Sequence, residues 1–254
     1  MMEESLSVVL IAHNEEGTIG RIIDGLLAHY REKIFEIIVV DDVSTDTTAS
    51  IVEAKAGLEP KIKLVRRSSP CGVGRAIKAG FKSVAPGASY VLTMDSDFIE
   101  SIGDVGKLIA RMEAGDCDGV VGSRFVPGSR LEQYPLTKKI MNRLFHRVVS
   151  VLFNIRQKDL SNNFKLYKRE IIEKMPWHSD DFAINAETGI LPVLSGYKVC
   201  EVPVSWVGRN KEQGRSKFKL FKVGWGYIKV IPYALLFARN REKRGRVHFF
   251  ICEK

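Results

Sequence analysis

The 254-residue sequence predicts an α/β domain built on a mainly parallel sheet with helices on both faces. Apolar runs of strand length alternate with stretches that carry apolar residues at helical spacing, the pattern of repeated β-α-β units. The strand-like runs are continuous rather than alternating, as strands buried on both faces require. Polar and acidic residues recur where a run gives way to a loop, at Asn14-Glu15, Asp41-Asp42 and Asp95/Asp97. Ligands of open α/β sheets collect at the carboxyl ends of strands, so these clusters mark a site.

Ser5 to Ala12 (SLSVVLIA) reads as a buried strand followed by His13-Asn14-Glu15-Glu16. Gly17 to Tyr30 has Ile19, Ile22, Ile23, Leu26 and Leu27 at helical spacing. Phe35 to Val40 is a second strand, closed by Asp41-Asp42-Val43-Ser44-Thr45-Asp46-Thr47, where Ser44 or Thr45 can cap a helix running to about Ala56. Ile62 to Val65 gives a third strand, and Cys71-Gly72-Val73-Gly74 leads into a helix through Ala76, Ile77 and Phe81. The strand Tyr90–Met94 comes next, then a helix around Val105 to Met112 and a strand from Gly119 to Gly122. The second half predicts a basic helix over Lys138 to Phe153, a strand at Phe164 to Tyr167, a helix at Glu187 to Leu194 and a strand at Lys198 to Val204.

Charge divides the chain more sharply than its net +9 suggests. Residues 1–123 hold 13 Lys and Arg against 19 Asp and Glu, whereas 124–169 hold 11 against 2 and 216–246 hold 9 against 1. A metal-binding acidic half joined to a half that meets anions is the implied arrangement. Cys71, Cys117, Cys200 and Cys252 lack metal-ligand spacing and read as small buried thiols of a reducing compartment. No signal peptide opens the chain, and the longest nearly unbroken apolar run, Val230 to Ala238, is far short of the roughly 20 residues that span a bilayer.

The chemistry centres on YVLTMDSDFIE, Tyr90 to Glu100. Two carboxylates at one strand end repel each other unless a cation or hydrogen-bond donors intervene. A hard divalent ion held by one or two carboxylates and a substrate diphosphate meets that need. Asp95 as a turn cap with a solvated Asp97 is the plain alternative. Gly72 and Gly74 are too sparse for a dinucleotide or Walker fingerprint, which sets a dehydrogenase aside. No aromatic-interleaved platform suggests nucleic acid.

In order, HNEE, VVDDVSTDTT, MDSD, GSRF, DLSNNFKLYKRE, GYKVCEVPVSW and GRSKF resemble the family 2 glycosyltransferases of GT-A, Rossmann-like fold. The likeness is to the branch of dolichyl-phosphate mannose synthase and polyprenyl-phosphate glycosyltransferases, and runs from Ser5 to about Lys217. The resemblance implies an inverting, metal-dependent transfer of a hexose, mannose or glucose, from a GDP- or UDP-hexose donor to a polyprenyl or dolichyl phosphate. It places Ile11, His13, Asn14, Glu15, Asp41, Asp42, Asp95 and Ser96 around the nucleotide sugar. By the same resemblance Asp95 and Asp97 would hold Mg²⁺ or Mn²⁺. Arg124, Lys165, Arg215 and Lys217 face donor or acceptor phosphates, with Asp95, Asp97, Arg124 and Glu187 as catalytic candidates.

Three places depart from the family. Ile11-Ala12-His13 replaces Pro-x-Tyr, and Ile99 stands where a metal-ligating Gln is common, leaving Glu100 as the third ligand candidate. Asn162-Asn163-Phe164-Lys165 replaces Ser-Gly-Phe-Arg. Plain alternatives stand beside these roles: Asp41 and Asp46 as helix caps, His13 as packing, Arg124 and Lys165 as surface cations, and Glu187 as an acid suited to a helix start. Transfer to a saccharide or soluble hydroxyl, or a non-catalytic nucleotide-binding module, are the competing functions.

The expected organisation is a catalytic domain over 1–215, with a nucleotide-sugar half (1–123) and an acceptor half (124–215), and a basic amphipathic segment over 216–254. In that segment Phe218, Leu220, Phe221, Trp225 and Ile228 mix with Lys217, Lys219, Lys222 and Lys229, suiting a membrane interface at the cytoplasmic face. Pro232 predicts two short helices there rather than one rod.

Overall fold

The computed structural model describes residues 5–208 and 220–243, with side chains in the second span described for 226–240. The sheet expected from the sequence is present. Strands β1 (Leu6–Ala12), β2 (Ile34–Asp41), β3 (Ile62–Arg66), β4 (Tyr90–Asp95), β5 (Gly119–Ser123), β7 (Lys165–Lys168) and β8 (Val199–Pro203) make one seven-stranded sheet in the order β3-β2-β1-β4-β7-β5-β8. Only β7 runs antiparallel, to both β4 and β5. Two short strands, β6 (Arg130–Glu132) and β9 (Ser205–Val207), pair parallel as a separate ribbon.

The described residues also form helices α1 (Ile19–Tyr30), α2 (Thr48–Leu58), α3 (Val73–Ser83), α4 (Ile102–Glu113), α5 (Leu136–Phe153), α6 (Arg169–Lys174), α7 (Ile184–Leu194) and α8 (Leu220–Lys243). The period-two alternation of strand side chains sorts the core into two layers. On one face Val8, Leu10, Ile37, Val39, Leu92 and Met94 pack against α1 and α4. On the other Val9, Ile38, Val40, Val91 and Val121 meet α3, α5, α7 and α8. Helix α7 lies so close to the chain before β7 that a Cβ on Gly189 would sit 2.1 Å from the Leu160 carbonyl oxygen, so only glycine allows this approach.

Several expectations need correction. Neither Ser44 nor Thr45 caps α2; Asp46 does so, accepting from the Thr48 amide at 2.9 Å, while Ser44 and Thr45 turn to Asn14. Helix α8 is continuous through Pro232. The proline removes one helical donor, and the carbonyl it leaves, that of Ile228, belongs to a residue open to water, so the cost is small. Val230 and Ala234 of α8 are buried in the second core layer, and Tyr233 donates to the Pro176 carbonyl at 2.8 Å. Cys117 and Cys200 are joined in a disulfide rather than being separate thiols, and Cys71 is exposed. The parallel β5–β8 register, in which Gly119 pairs with Val199 and Val120 with Cys200, brings Cys117, two residues before β5, close to Cys200 although the two cysteines are 83 apart in sequence. Cys252 lies outside the described residues.

Candidate active site

The sheet register aligns the three acidic clusters. Ala12 pairs with Asp41 on one side of β1, and Ile11 pairs with Asp95 on the other. With about 4.8 Å between neighbouring strands, the ends of β2, β1 and β4 span about 10 Å. This is the edge where the sequence expected a ligand.

The loops after β1 and β2 hold each other. The Asn14 amide donates to Ser44 Oγ (2.9 Å), and Asn14 Oδ1 accepts from the Thr45 amide (2.7 Å). The Glu15 amide donates to Thr48 Oγ1 (2.7 Å), and Glu16 Oε2 accepts from Thr47 Oγ1 (2.7 Å). Asn14 takes a φ of 54°, left-handed, a conformation asparagine tolerates better than most residues. The residues of HNEE and VSTDTT therefore serve one another, and the Asn14 and Glu16 side chains brace the loop pair. Glu15 is buried and accepts from Thr18 Oγ1 at 2.9 Å. His13 Nδ1 lies 2.8 Å from the Asp42 carbonyl oxygen.

Asp41 and Asp42 are both buried. Asp41 accepts from the Ser44 amide at 3.2 Å. Asp42 is salt-bridged to Arg67 and accepts from the Gly72 amide at 2.7 Å and from Cys71 Sγ at 3.1 Å. Asp42 thus ties the segment after β3 to the strand ends, a role that its place in the sequence did not reveal.

Asp95, the last residue of β4, accepts from Asn163 Nδ2 at 2.7 Å. Thr93 in turn donates to the Asn163 carbonyl (3.1 Å), and Asn162 Nδ2 donates to the Gly122 carbonyl (2.7 Å). The two asparagines that break the family pattern therefore stitch β4 and β5 to the chain entering β7. Asn163 orients Asp95, a function visible only once β7 is placed between β4 and β5. Ser96 is buried, and Asp97 is half-buried in a cleft of about 110 Å³ lined also by Phe98, Glu100, Gln133, Trp206 and Gly208.

The donor set suits a hard divalent ion, since Asp95 and Asp97 offer carboxylate oxygens at one strand end and Asp95 is held in place by an amide. Asp95, Asp97 and Glu100 do not form a trio with ligand atoms within 4.8 Å of one another; among the described residues only Asp116, Cys117 and Cys200 do, and the two sulfurs are bonded to each other. Glu100, the expected third ligand, stands exposed on the short 3₁₀ turn Ile99–Ser101 and lines the same cleft as Asp97.

The cations differ from expectation. Arg124 makes a two-pronged pair with buried Asp159, Nε to Oδ2 at 2.7 Å and Nη2 to Oδ1 at 2.8 Å, and its backbone amide adds a third bond at 2.9 Å. Its guanidinium also lies 5.7 Å from the ring centres of Phe125 and Tyr134. Burial opposes both charges, but each partner's charge wins, so Arg124 is held protonated and the Asp159 carboxyl is kept below its ordinary range. Lys165 is likewise interior, donating to the Asn185 carbonyl (2.8 Å) and Thr188 Oγ1 (3.0 Å). The sequence showed the cations but not Asp159, whose partner lies 35 residues away. Glu187, in the first turn of α7, is fully buried and accepts from the amides of His178 and Ser179, fixing the loop before the helix. Arg215 and Lys217 lie outside the described residues.

Burial pushes the Lys165 ammonium down to about 7, with Asp159 and Asp95 acting in the opposite direction. Because this native value lies below the ordinary 10.5, the native protein binds fewer protons than the unfolded chain between about pH 7 and 10.5. The cost of the buried charge is therefore full below about pH 7 and is relieved as pH rises. Lys165→Met is expected to flatten the gain in stability across that window by up to one proton, about 1.4 kcal/mol per pH unit. Urea unfolding at a series of pH values checks this, and an unchanged slope would assign the titration elsewhere.

A mainly parallel sheet whose acids line three neighbouring strand ends, crossed by one antiparallel strand from the second half, is the layout of a GT-A glycosyltransferase. The family-level comparison agrees: the glycosyl transferase family 2 model matches residues 7–175, and the chain belongs to that family. It is 27% identical over 244 residues to polyprenol monophosphomannose synthase of Mycolicibacterium smegmatis, covering 94% of this chain and 89% of that protein. It is 24% identical to undecaprenyl-phosphate mannosyltransferase of Micrococcus luteus, covering 84% and 87%. Among solved structures, glucosyl-3-phosphoglycerate synthase of Mycobacterium tuberculosis in complex with Mn²⁺ and UDP-glucose superposes with a TM-score of 0.69 at 20% identity, covering 92% of this chain and 79% of that one. That likeness is one of fold.

Proposed function

We propose that this glycosyltransferase moves a hexose, mannose or glucose, from a GDP- or UDP-linked donor to a polyprenyl phosphate, with inversion at the anomeric carbon. The observation that carries the reading is the strand-end alignment of Asp95 with the loops after β1 and β2, in a family whose similar members are named for polyprenyl-phosphate acceptors. Residues 1–215 carry the chemistry in this reading, and 216–254 serve attachment at the cytoplasmic face of a membrane.

The paired loops after β1 and β2 form a rigid cradle for the nucleoside, because each is locked by side chain–backbone bonds to the other. Asp95, aimed by Asn163, and Asp97 would hold Mg²⁺ or Mn²⁺ on the donor diphosphate. The bound ion supplies Lewis-acid stabilisation of the charge that grows on the leaving diphosphate. A hydroxyl acceptor needs a general base, whereas a phosphate acceptor is already anionic and needs only placement. The Glu187 carboxylate, being committed to two backbone amides, shapes the acceptor side rather than removing a proton.

Mass spectrometry of products formed with a prenyl phosphate and with the matching prenyl alcohol tests the reading. Glycosylated lipid phosphate is expected, and transfer to the alcohol alone would shift the assignment to a hydroxyl-directed enzyme.

A further inference from the structure

The cleft that holds Asp97 has a second wall, which the strand-end acids alone do not require. Strands β4, β5 and β8 run in the same direction, so β9, which starts two residues after β8, rises from the catalytic edge. Its pairing with β6 places Leu131 opposite Trp206, and the ribbon and the turn Ile99–Ser101 line the cleft together. Two bonds clamp ribbon to turn and helix. Ser101 Oγ donates to the Ser205 carbonyl (2.8 Å), and the Ser205 amide donates to Asp104 Oδ2 (2.7 Å). Trp206 packs edge-on against Tyr134 with ring centres 4.8 Å apart, and Tyr134 in turn lies against the Arg124 guanidinium. The indole is therefore braced by the Arg124–Asp159 pair, yet it remains only half-buried and lines the cleft. Gln133, the residue after β6, lines it too and takes a φ of 54°. Left-handed backbone is uncommon for glutamine, and such outliers cluster where a binding site over-determines them.

We infer that this cleft receives the hexosyl group of the donor, with Trp206 as the platform for the sugar ring and Gln133 as the residue that reads its hydroxyls, a role that depends on the nucleotide-sugar reading above. Charge selects the occupant. The described residues that line the cleft include Asp97 and Glu100 but no Lys or Arg. Carboxylates without a cation repel an acceptor phosphate, and against a prenyl chain they and the amide would give up hydrogen bonds to water. A hexose suits both walls. Its C–H face packs on the indole, and its hydroxyls donate to carboxylates and exchange hydrogen bonds with an amide.

Order along the sheet points the same way. On the donor reading, the loops after β1 and β2 cradle the nucleoside, and Asp95 and Asp97 after β4 meet the diphosphate. Beyond β4, moving away from β2, come β7, β5 and β8, and β9 with its ribbon follows β8. A donor laid along this edge carries its sugar past β4 toward Trp206 and Gln133. A nucleobase could stack on an indole as well, but it is the other end of the donor and lies on the β1–β2 side.

Calorimetric titration of the full-length protein with nucleotide sugars and with the bare nucleoside diphosphates, all with Mn²⁺, tests the inference. Trp206→Ala should weaken binding of the preferred donor roughly tenfold and leave that of the bare diphosphate within about twofold. Trp206→Phe keeps a flat apolar face and should recover most of the loss. Gln133→Leu, similar in size but unable to hydrogen-bond, should change the affinity ratio of donors that differ at one hydroxyl by at least about fivefold. GDP-mannose against GDP-glucose, and UDP-glucose against UDP-galactose, are the pairs to compare. Unchanged donor affinity in Trp206→Ala, or an equal loss for the bare diphosphate, overturns the inference and makes the indole a packing residue. An unchanged ratio in Gln133→Leu overturns the assignment of Gln133. A parent that binds neither GDP- nor UDP-hexoses defeats the nucleotide-sugar reading itself, and the role of the cleft falls with it.

Discussion

Asp97→Asn is expected to lower sugar transfer by on the order of 10²–10³-fold while leaving the fold intact. Asn keeps the shape of the side chain and its place in the cleft with Glu100 and Gln133 but cannot offer an anionic oxygen. The lost interaction is one that matters most when the diphosphate departs, so the effect falls on turnover more than on donor affinity. At a half-buried position an isosteric change should move stability by no more than about 0.5 kcal/mol. Steady-state rates at saturating Mn²⁺ together with thermal unfolding distinguish the two effects. Undiminished turnover would end the role of the strand-end carboxylates. Glu100→Gln, at an exposed carboxylate outside any converging trio, should have the milder effect.

The second large effect is structural. Breaking the Arg124–Asp159 pair by Asp159→Asn or Arg124→Met is expected to cost about 3–5 kcal/mol, because each change strands a buried charge. Replacing both residues with apolar side chains should cost less than the two single changes combined, since neither charge is then left alone. Urea denaturation of the singles and the double checks this. Single variants that lose less than about 1 kcal/mol would show that the pair is not a structural element. The same pair anchors the segment between β5 and β7, so a loss of activity in these variants would need to be separated from the loss of fold.

The first half of the chain was legible because its signals are local. Continuous Val and Ile runs demand burial on both faces, and the acids that close them have nowhere to lie but the sheet edge. The second half was less legible because its order is non-local. Asp159, Asn162 and Asn163 read as a polar turn, yet they fix Arg124, Gly122 and Asp95 from across the sheet. Strands β6 and β9 are three residues each and carry no periodic signal. The cations of α5 were evident in the sequence, but the sequence did not show that Phe145, His146, Val149 and Phe153 claim the core, which leaves the other apolar residues outside. Pro232 illustrates the opposite error: a local rule predicted a break, and tertiary packing of Val230 and Ala234 carried the helix through.

The insertion of β7 between β4 and β5 has a consequence during synthesis. Thr93 on β4 pairs with Lys165 on β7, so the first half leaves the ribosome with the edge of β4 unpaired. Roughly 70 further residues must be made before that edge is closed, which at about 5–20 residues per second takes on the order of 4–14 seconds. Through that interval the nascent chain exposes a row of backbone donors and acceptors beside Val91 and Leu92, the kind of edge on which other chains can pair. Demand for a holding chaperone should therefore be greatest while residues 96–165 are being translated.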